Sequence, residues 1–358
     1  MISINLALAH KTPAYYHDTN DIRDQGAWMQ GLDDNVLLRD LSLPGTHKTM
    51  SRFGGAAPAN VICQTLTLDQ QLTAGIRVLD IRCRCIGNRL TIHHGDYKFF
   101  DIPSFLGGNG NSASLSVYQQ ATFEDVLNSC INYLNTNPSE TILMRIKQEF
   151  AAENCQGDFS SQFFNNYYID QRFNTRFWRN EGTNNNPTLG QVRNRIVILR
   201  DGFSGSGTSV VGLSYPSFAD IQDDYKVPTN FQLYNKWTSV KNQLIKASTA
   251  QGRTTFYMNY LSGSTLAFPY FVASGHSDPR TDAPNLWDGS FTGIQGADFQ
   301  PDFPRGIFGA INYEGTNVLA YNWIQNNQPC FCGIIMADFP GDGLIDEIIL
   351  RNFRRNGC

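Results

Sequence analysis

The sequence has no apolar run that approaches the ~20 residues of a membrane-spanning helix. It also lacks clusters of lysine and arginine, and its formal net charge is −4. A nucleic-acid-binding face needs such a cluster, and so does a surface that binds membranes mainly through anionic lipids. We therefore expect neither a transmembrane protein nor a nucleic-acid-binding protein.

A secretory signal peptide is not recognisable either. The first residues, Met1 to Lys11, have no basic start and no sustained apolar stretch. If the protein is exported, it uses another route, or its signal is missing from this sequence.

The cysteine pattern does not resemble a zinc site. Two pairs, Cys83 with Cys85 and Cys330 with Cys332, are spaced by one residue, which places each pair on one face of a strand. Zinc ligands are usually spaced by two to four residues. A chain of 358 residues does not need disulfides to fold. We expect the eight cysteines to be buried free thiols, with at least one disulfide as the alternative.

Short apolar runs alternate with helical patterns, which is typical of βα units and a parallel sheet. The clearest helix begins at Thr122 with a capping box and ends at Asn137-Pro138. The predicted strands, many with polar residues at their C-terminal ends, are Leu41–Thr46, Val78–Cys83, Leu90–His94, Ile142–Lys147, Ile196–Arg200, Thr255–Tyr260 and Gly333–Asp338. We predict an α/β fold with a single distorted TIM-like (β/α) barrel. We expect residues 1–358 to form one domain, with the first ~30 residues as an extension.

The chemistry is concentrated at strand ends. His47 and His94 each end a predicted strand, and Asp80 and Arg82 lie between them in the sequence. A neutral histidine can take a proton from a hydroxyl, a protonated histidine can give one to a leaving oxygen, and arginine can hold the charge that builds on a phosphoryl group. These residues indicate phosphodiester cleavage without a metal or other cofactor.

Charged residues occupy one face of the strand around Asp80. The alternation places Asp80, Arg82 and Arg84 on one face. Three charges inside a barrel are costly unless they pair or act. We expect Arg82 to clamp a phosphate, and Asp80 to orient Arg82 or a histidine. A plain structural salt bridge is the alternative.

Several segments resemble the X-region motifs of bacterial phosphatidylinositol-specific phospholipases C, in the same order. The matching segments are Leu43–His47, Ala74–Arg82, Ile92–Gly95, Asn137–Lys147, Ile221–Val227 and Ile334–Phe339. The resemblance spans most of residues 35 to 350. Each motif is weak alone, but the ordered combination is specific.

The resemblance implies cleavage of phosphatidylinositol to diacylglycerol and inositol 1,2-cyclic phosphate. His47 matches the base that deprotonates the inositol 2-hydroxyl, His94 matches the acid, and Asp338 matches the residue that holds the base in its correct tautomer. His93 points to the opposite face from His94 and is expected to be packed. Arg82 stands where calcium-dependent relatives carry a metal-ligand acid, which implies a metal-independent enzyme.

The resemblance also points to residues that hold the inositol ring. They are Lys147, Asp223 and Tyr225, together with Arg200, whose alignment tolerates a shift of one residue. For Lys147 and Tyr225, ordinary surface positions are the alternative. The segment Phe268–Phe271 matches an exposed aromatic rim that faces the bilayer, and a place in the core is the alternative.

One position departs from the family pattern. Metal-free relatives commonly carry an aspartate after the base histidine, where this chain has Lys48. A lysine there would lower the pKa of a neighbouring imidazole, the reverse of the effect of an aspartate. We expect Lys48 either to add a second cation to the phosphate site or to point away from it.

We therefore expect a metal-free phosphatidylinositol-specific phospholipase C that binds a membrane surface peripherally and reversibly. By analogy with the family we expect the protein to be secreted, and we also expect a monomer. Glycosylated inositol lipids, or another phosphodiester with a neighbouring hydroxyl, are alternative substrates. A catalytically silent phosphoinositide-binding module is a further alternative, which the presence of both His47 and His94 disfavours.

Overall fold

The computed structural model describes residues 13–15, 22–52, 61–95, 97–98, 120–180, 185–203, 211–250, 252–275, 297–298 and 312–354. The strands are β1 (Leu43–Thr46), β2 (Val78–Ile86), β3 (Arg89–His94), β4 (Tyr97–Lys98), β5 (Ile142–Gln148), β6 (Ile196–Asp201), β7 (Leu213–Ser214), β8 (Ala219–Gln222), β9 (Lys226–Val227), β10 (Phe256–Tyr260), β11 (Ser264–Thr265), β12 (Ala297–Asp298), β13 (Asn312–Tyr313) and β14 (Ile334–Ala337). The helices are α1 (Leu68–Thr73), α2 (Phe123–Thr136), α3 (Phe159–Phe163), α4 (Leu189–Val192), α5 (Tyr215–Phe218), α6 (Leu233–Thr249), α7 (Pro269–Ser274), α8 (Thr316–Asn327) and α9 (Asp342–Leu350).

Eight parallel strands form one curled sheet in the order β7-β6-β5-β2-β1-β14-β10-β8. In the described part of the chain, no pairing joins the end strands β7 and β8, and α5 connects them directly. β3 is antiparallel to β2 and carries β4 on its other side. The predicted distorted TIM-like barrel is therefore confirmed, as an open barrel rather than a closed one.

The local predictions agree with these elements. All seven predicted strands are present, with ends displaced by three residues or fewer. The predicted capping box opens α2: the hydroxyl of Thr122 accepts from the amide of Asp125, and the Asp125 carboxylate accepts from the amide of Thr122 at 2.8 Å. These signals are local, so they can be read without knowing the tertiary structure.

Strand β1 lies between β2 and β14 in the sheet, and a glycine in β1 allows the three strands to pack closely. A Cβ atom on Gly45 would lie 2.4 Å from the Met336 sulfur and 2.8 Å from the Val78 Cβ. Any larger residue would therefore push β1 away from β14 or β2. The Pro-Gly-Thr motif thus sets the strand spacing directly below His47.

Successive residues of β14 serve the two faces of the sheet. Ile334 and Met336 pack in the interior core, whereas Ile335 and Ala337 pack in the outer cluster that α6, α8 and α9 contribute to. This period of two places the next inward position at Asp338.

A fully buried ion pair lies at the N-terminal end of the strands. Arg77 precedes β2 and Glu140 precedes β5, and both side chains are 0% exposed. Arg77 Nη2 lies 2.8 Å from Glu140 Oε2 and 2.9 Å from the carbonyl oxygen of Gly26. The amide of Met29 donates to Glu140. The described part of the predicted N-terminal extension therefore closes this end of the barrel.

The cysteine prediction is partly wrong. Cys63, Cys83, Cys130 and Cys332 are buried free thiols, but Cys85 forms a disulfide with Cys155 across 70 residues. Cys330 is disulfide-bonded as well. The pair at 83 and 85 does lie in one strand, whereas the pair at 330 and 332 precedes β14. Spacing along the chain could not reveal that Cys155 reaches the end of β2.

No helix in the described part of the chain is long and apolar enough to cross a bilayer.

Candidate active site

The register between β1 and β14 brings His47 to Asp338. Thr46 pairs with Ala337, so the next residues leave adjacent strands side by side. His47 Nδ1 lies 2.8 Å from Asp338 Oδ1. Burial raises the pKa of Asp338 well above its usual range, and the cations of Lys48 and Arg82 oppose that shift. When Asp338 is ionised its oxygen only accepts, so Nδ1 of His47 carries the proton and Nε2 keeps its lone pair. The structure thus brings together the two residues that the sequence pairs as base and orienting acid.

The surroundings of His47 favour the neutral imidazole. Burial lowers the pKa of His47 well below its ordinary value, and the cations of Arg82 and Lys48 lower it further. A histidine in this state can accept a proton.

Asp80 lies at the centre of a charged network. Its carboxylate accepts from Arg82 Nε at 3.1 Å, from Arg145 Nη1 at 3.3 Å and from the amide of Lys48 at 3.1 Å. Burial alone would raise the pKa of Asp80, but Arg82 and Arg145 outweigh it and hold the pKa far below its usual range. Asp80 is therefore ionised and paired with Arg82, as both expectations for this pair require.

Glu149 holds the other side of Arg82. Its Oε2 atom lies 3.2 Å from Arg82 Nη1, and its Oε1 atom accepts from the amide of Gly95 at 3.2 Å. Burial would raise the pKa of Glu149, but the cations of Arg82 and Lys48 outweigh it and lower the pKa. Two carboxylates therefore fix the guanidinium that borders the cavity.

The two neighbouring histidines face opposite ways. His94 faces the cavity, and its Nδ1 lies 2.8 Å from the carbonyl oxygen of Val61. His93 is buried, with Nε2 2.9 Å from the side-chain nitrogen Nε2 of Gln120. Burial lowers the pKa of His94 to about 4, and Lys48 contributes to the same shift. The predicted orientation of this pair is confirmed.

Lys48 points into the site. Its backbone has a φ of 42°, in the left-handed region, and its Nζ atom contacts His94 Nε2. It also lies 3.7 Å from Glu149 Oε1. Burial lowers the pKa of Lys48, and the nearby Arg82 lowers it further. Of the two expectations for this residue, the structure supports the one that places it in the site.

These side chains border a cavity of about 360 Å³. Its lining residues are His47, Lys48, Cys63, Arg82, His94, Arg145, Lys147, Glu149, Asp223, Tyr225, Ser262, Gly263, Ser264, Pro269 and Asp338. Asp80 lies buried beside this lining, hydrogen-bonded to Arg82. The predicted ring-binding residues Lys147, Asp223 and Tyr225 therefore line the same cavity as the histidines, and Tyr225 is 53% exposed.

Arg200 is not brought to this cavity. In the β5–β6 register it pairs with Ile146, whereas the next residue, Asp201, pairs with Lys147. Arg200 Nη1 instead donates to the carbonyl of Val211 at 2.6 Å, and the side chain lines a separate cavity of about 430 Å³. Because strand residues alternate between faces, a shift of one residue puts Arg200 on the wrong face.

Sequence reasoning missed Arg145, Glu149 and Cys63. Arg145 contacts Asp80 and lies 3.0 Å from Asp201 through Nε. The alternation that selects Lys147 also selects Arg145 and Glu149, so period two along β5 was a usable signal. Cys63 comes from a loop and carries no such signal.

The predicted aromatic rim at Phe268–Phe271 is wrong. Tyr270 is 2% exposed and packs edge-on to Phe339, and Phe271 is fully buried. An aromatic run serves the core here because α7 packs against α8. Leu266 is an exposed apolar residue in this region, with 75% of its surface exposed, and it precedes the cavity-lining Pro269.

Three possible metal-ligand atoms, from His47, Cys63 and Asp338, lie within 4.8 Å of one another. The His47–Asp338 contact is a hydrogen bond of ordinary length, and the cations of Arg82 and Lys48 lie close by. Both features suit an acid–base site that receives an anion, and we assign the three residues to that site.

The open barrel and the cation-lined cavity with two histidines at its C-terminal end define a phosphodiesterase of the TIM-like barrel class. The family model described as phosphatidylinositol-specific phospholipase C, X domain, matches residues 60–201. The 1-phosphatidylinositol phosphodiesterase of Listeria monocytogenes is 33% identical over 250 residues, which cover 67% of this chain and 69% of that protein. The Staphylococcus aureus enzyme of the same name is 28% identical over 280 residues, covering 71% and 81%.

Solved structures agree on the fold. The Listeria phosphatidylinositol-specific phospholipase C has a TM-score of 0.62 at 24% identity, covering 92% of this chain and 98% of that one. A mutant of the Staphylococcus aureus enzyme has a TM-score of 0.66 at 21% identity, with the same coverage. The chain belongs to the phosphatidylinositol-specific phospholipase C family, as its motifs predict.

Proposed function

We propose that this protein cleaves phosphatidylinositol to diacylglycerol and inositol 1,2-cyclic phosphate by acid–base catalysis without a metal ion. The observation that carries the proposal is the His47–Asp338 pair beside Arg82 and His94 in one cavity. Binding of an inositol lipid without reaction would not require a base held in one tautomer.

The first step uses a nucleophile that is already part of the substrate. Nε2 of His47 takes the proton of the inositol 2-hydroxyl, whose oxygen attacks the neighbouring phosphorus. Arg82 holds the phosphoryl oxygens as the bond to diacylglycerol breaks. His94 is the proposed acid that supplies a proton to the leaving oxygen. Because the hydroxyl is tethered, proximity supplies much of the rate.

Metal independence rests on the charges around Arg82. Its guanidinium is held by both Asp80 and Glu149, and Lys48 adds a second cation beside it. A site with two fixed cations suits the phosphate of the substrate and opposes a divalent ion.

Lys147, Asp223 and Tyr225 are the proposed contacts of the inositol ring. Asp223 and Tyr225 follow β8 at the exposed edge of the cavity, and Lys147 lies in β5. An aromatic face with charged groups that hydrogen-bond vicinal hydroxyls suits a polyol.

The proposed setting is a membrane surface outside the cytosol. The Cys85–Cys155 disulfide supports secretion, because such bonds persist mainly in oxidising compartments. Leu266 supports reversible contact with lipid next to the cavity mouth. Membrane binding is the subject of two solved structures of the Staphylococcus aureus enzyme. We further propose a monomer built from one domain.

The test compares three lipids in excess chelator: phosphatidylinositol, its 2-O-methyl derivative and phosphatidylcholine. Diacylglycerol should be released from the first alone, while the 2-O-methyl lipid should act as a competitive inhibitor. Turnover of phosphatidylcholine, or loss of activity in chelator, would overturn the proposal.

A further inference from the structure

We propose that Lys48 is a second proton-donating residue of this site, and that Lys48 and His94 share one proton that they deliver to the leaving oxygen. This inference rests on the proposed function and deepens it. It assigns to Lys48 a role in proton transfer, beyond that of a positive charge near the phosphate.

The tautomer of His94 follows from its partners. A backbone carbonyl only accepts, so the contact of Nδ1 with Val61 places a proton on Nδ1. In a neutral ring, Nε2 is then an acceptor. The atom that contacts Nε2 is Nζ of Lys48, so a proton on Nζ lies on the line between the two nitrogens.

His94 and Lys48 cannot both be positively charged at this contact. A protonated His94 would direct an N–H at the ammonium of Lys48, which has no acceptor, so the pair carries one proton between its nitrogens. Either His94 is neutral and Lys48 charged, or the reverse. A single net positive charge remains in both cases.

The charged neighbours favour keeping that one charge. Glu149 faces both residues and also holds Arg82. Asp80 contacts the backbone of Lys48, and Cys63 lines the same cavity as a buried thiol. Arg82 is the opposing cation and disfavours any further charge.

The proton balance of the reaction is complete with this pair. As the P–O bond to diacylglycerol breaks, the electron pair goes to the leaving oxygen, and the shared proton moves to that oxygen from Nζ or through Nε2. His47 then holds the proton of the 2-hydroxyl, while Lys48 and His94 are both neutral. When water opens the cyclic phosphate, the pair takes a proton from water, and His47 returns its proton to the 2-oxygen.

The test replaces Lys48 with arginine, which carries a positive charge but has no proton that it can transfer. Arginine keeps the positive charge but does not deprotonate in proteins. We would compare wild type, Lys48→Arg, Lys48→Met and the control Lys241→Met, which removes an exposed lysine of α6. Each is assayed on phosphatidylinositol and on a 4-nitrophenyl ester of inositol 1-phosphate, whose leaving group departs as a phenolate and needs little protonation.

For both Lys48 variants we expect kcat on phosphatidylinositol to fall at least ~10²-fold and kcat on the nitrophenyl ester to fall less than ~10-fold. Lys241→Met should match wild type on both substrates. Near-normal turnover of phosphatidylinositol by Lys48→Arg would overturn the inference, since charge alone would then suffice. Equal losses on both substrates would also overturn it. Activity on the ester shows that a variant is folded, and a wild type inactive on both substrates would instead reject the proposed function.

Discussion

His47 and Asp338 end adjacent parallel strands in matching register, and His47 Nδ1 lies 2.8 Å from Asp338 Oδ1. Residues far apart in the sequence thus become one hydrogen-bonded unit through a single strand pairing. The carboxylate fixes the tautomer in which Nε2 can accept a proton.

Removal of either member of this unit should therefore affect turnover more than binding. We expect kcat to fall at least ~10²-fold for His47→Ala and ~10²–10⁴-fold for Asp338→Asn, because the asparagine no longer selects the tautomer. Steady-state kinetics on phosphatidylinositol measure the effect. The control is His93→Gln, which changes the buried neighbour of His94, and a near-normal kcat for His47→Ala would show that the base is misassigned.

The pKa of His47 should set the acid limb of the pH profile. A base acts when it is deprotonated, and burial, Arg82 and Lys48 all lower its pKa. The limb of kcat/KM should therefore lie below the ordinary histidine pKa of about 6.5. Lys48→Met removes one cation, so the pKa rises and the limb should move to higher pH. Profiles on the nitrophenyl ester isolate this effect from leaving-group protonation, and superimposed profiles would contradict it.

The buried pair Arg77–Glu140 should make a large contribution to stability. Removing one partner leaves an uncompensated buried charge, so Arg77→Met and Glu140→Gln should each lower the free energy of unfolding by about 3–5 kcal/mol. Urea unfolding provides the measurement. The control is Lys246→Ala, which breaks an exposed pair with Asp220 and should cost less than about 1 kcal/mol. A loss at Arg77 no larger than that of the control would refute this prediction.

Substitution of Leu266 should affect the protein only when the substrate is in a bilayer. Leu266→Asp places a charge on the exposed apolar residue near the cavity mouth, and we expect weaker vesicle binding with unchanged turnover of the soluble nitrophenyl ester. Vesicle sedimentation measures the binding. The matched control is Leu350→Asp, an exposed leucine at the end of α9. Equal binding by Leu266→Asp and wild type would place the membrane contact elsewhere.

Short-range patterns in the sequence predict the strands, whereas the resemblance to a known family supplies most of the candidate site residues. Strand alternation places Asp80 and Arg82 together and correctly orients His94 against His93. The prediction for Arg200 failed because a shift of one residue in an alignment moves a side chain of β6 to the opposite face of the strand. The contact between Lys48 and His94 depends on a left-handed backbone at Lys48 and on a loop, neither of which leaves a periodic signal.

The predictions for the aromatic segment and for the cysteines failed for a related reason. Composition alone does not distinguish a buried aromatic run from an exposed one. Phe271 is buried because α7 packs against α8. Likewise, the partner of Cys85 is set by how the loop after β5 folds back over β2.

Phosphorus NMR of the purified protein with phosphatidylinositol vesicles in excess chelator tests the central claim most directly. If His47 activates the tethered 2-hydroxyl, the resonance of a five-membered cyclic inositol phosphate should appear first and at an undiminished rate, followed slowly by inositol 1-phosphate. Inositol 1-phosphate formed from the start without the cyclic intermediate, or no product until a divalent metal is added, would contradict it.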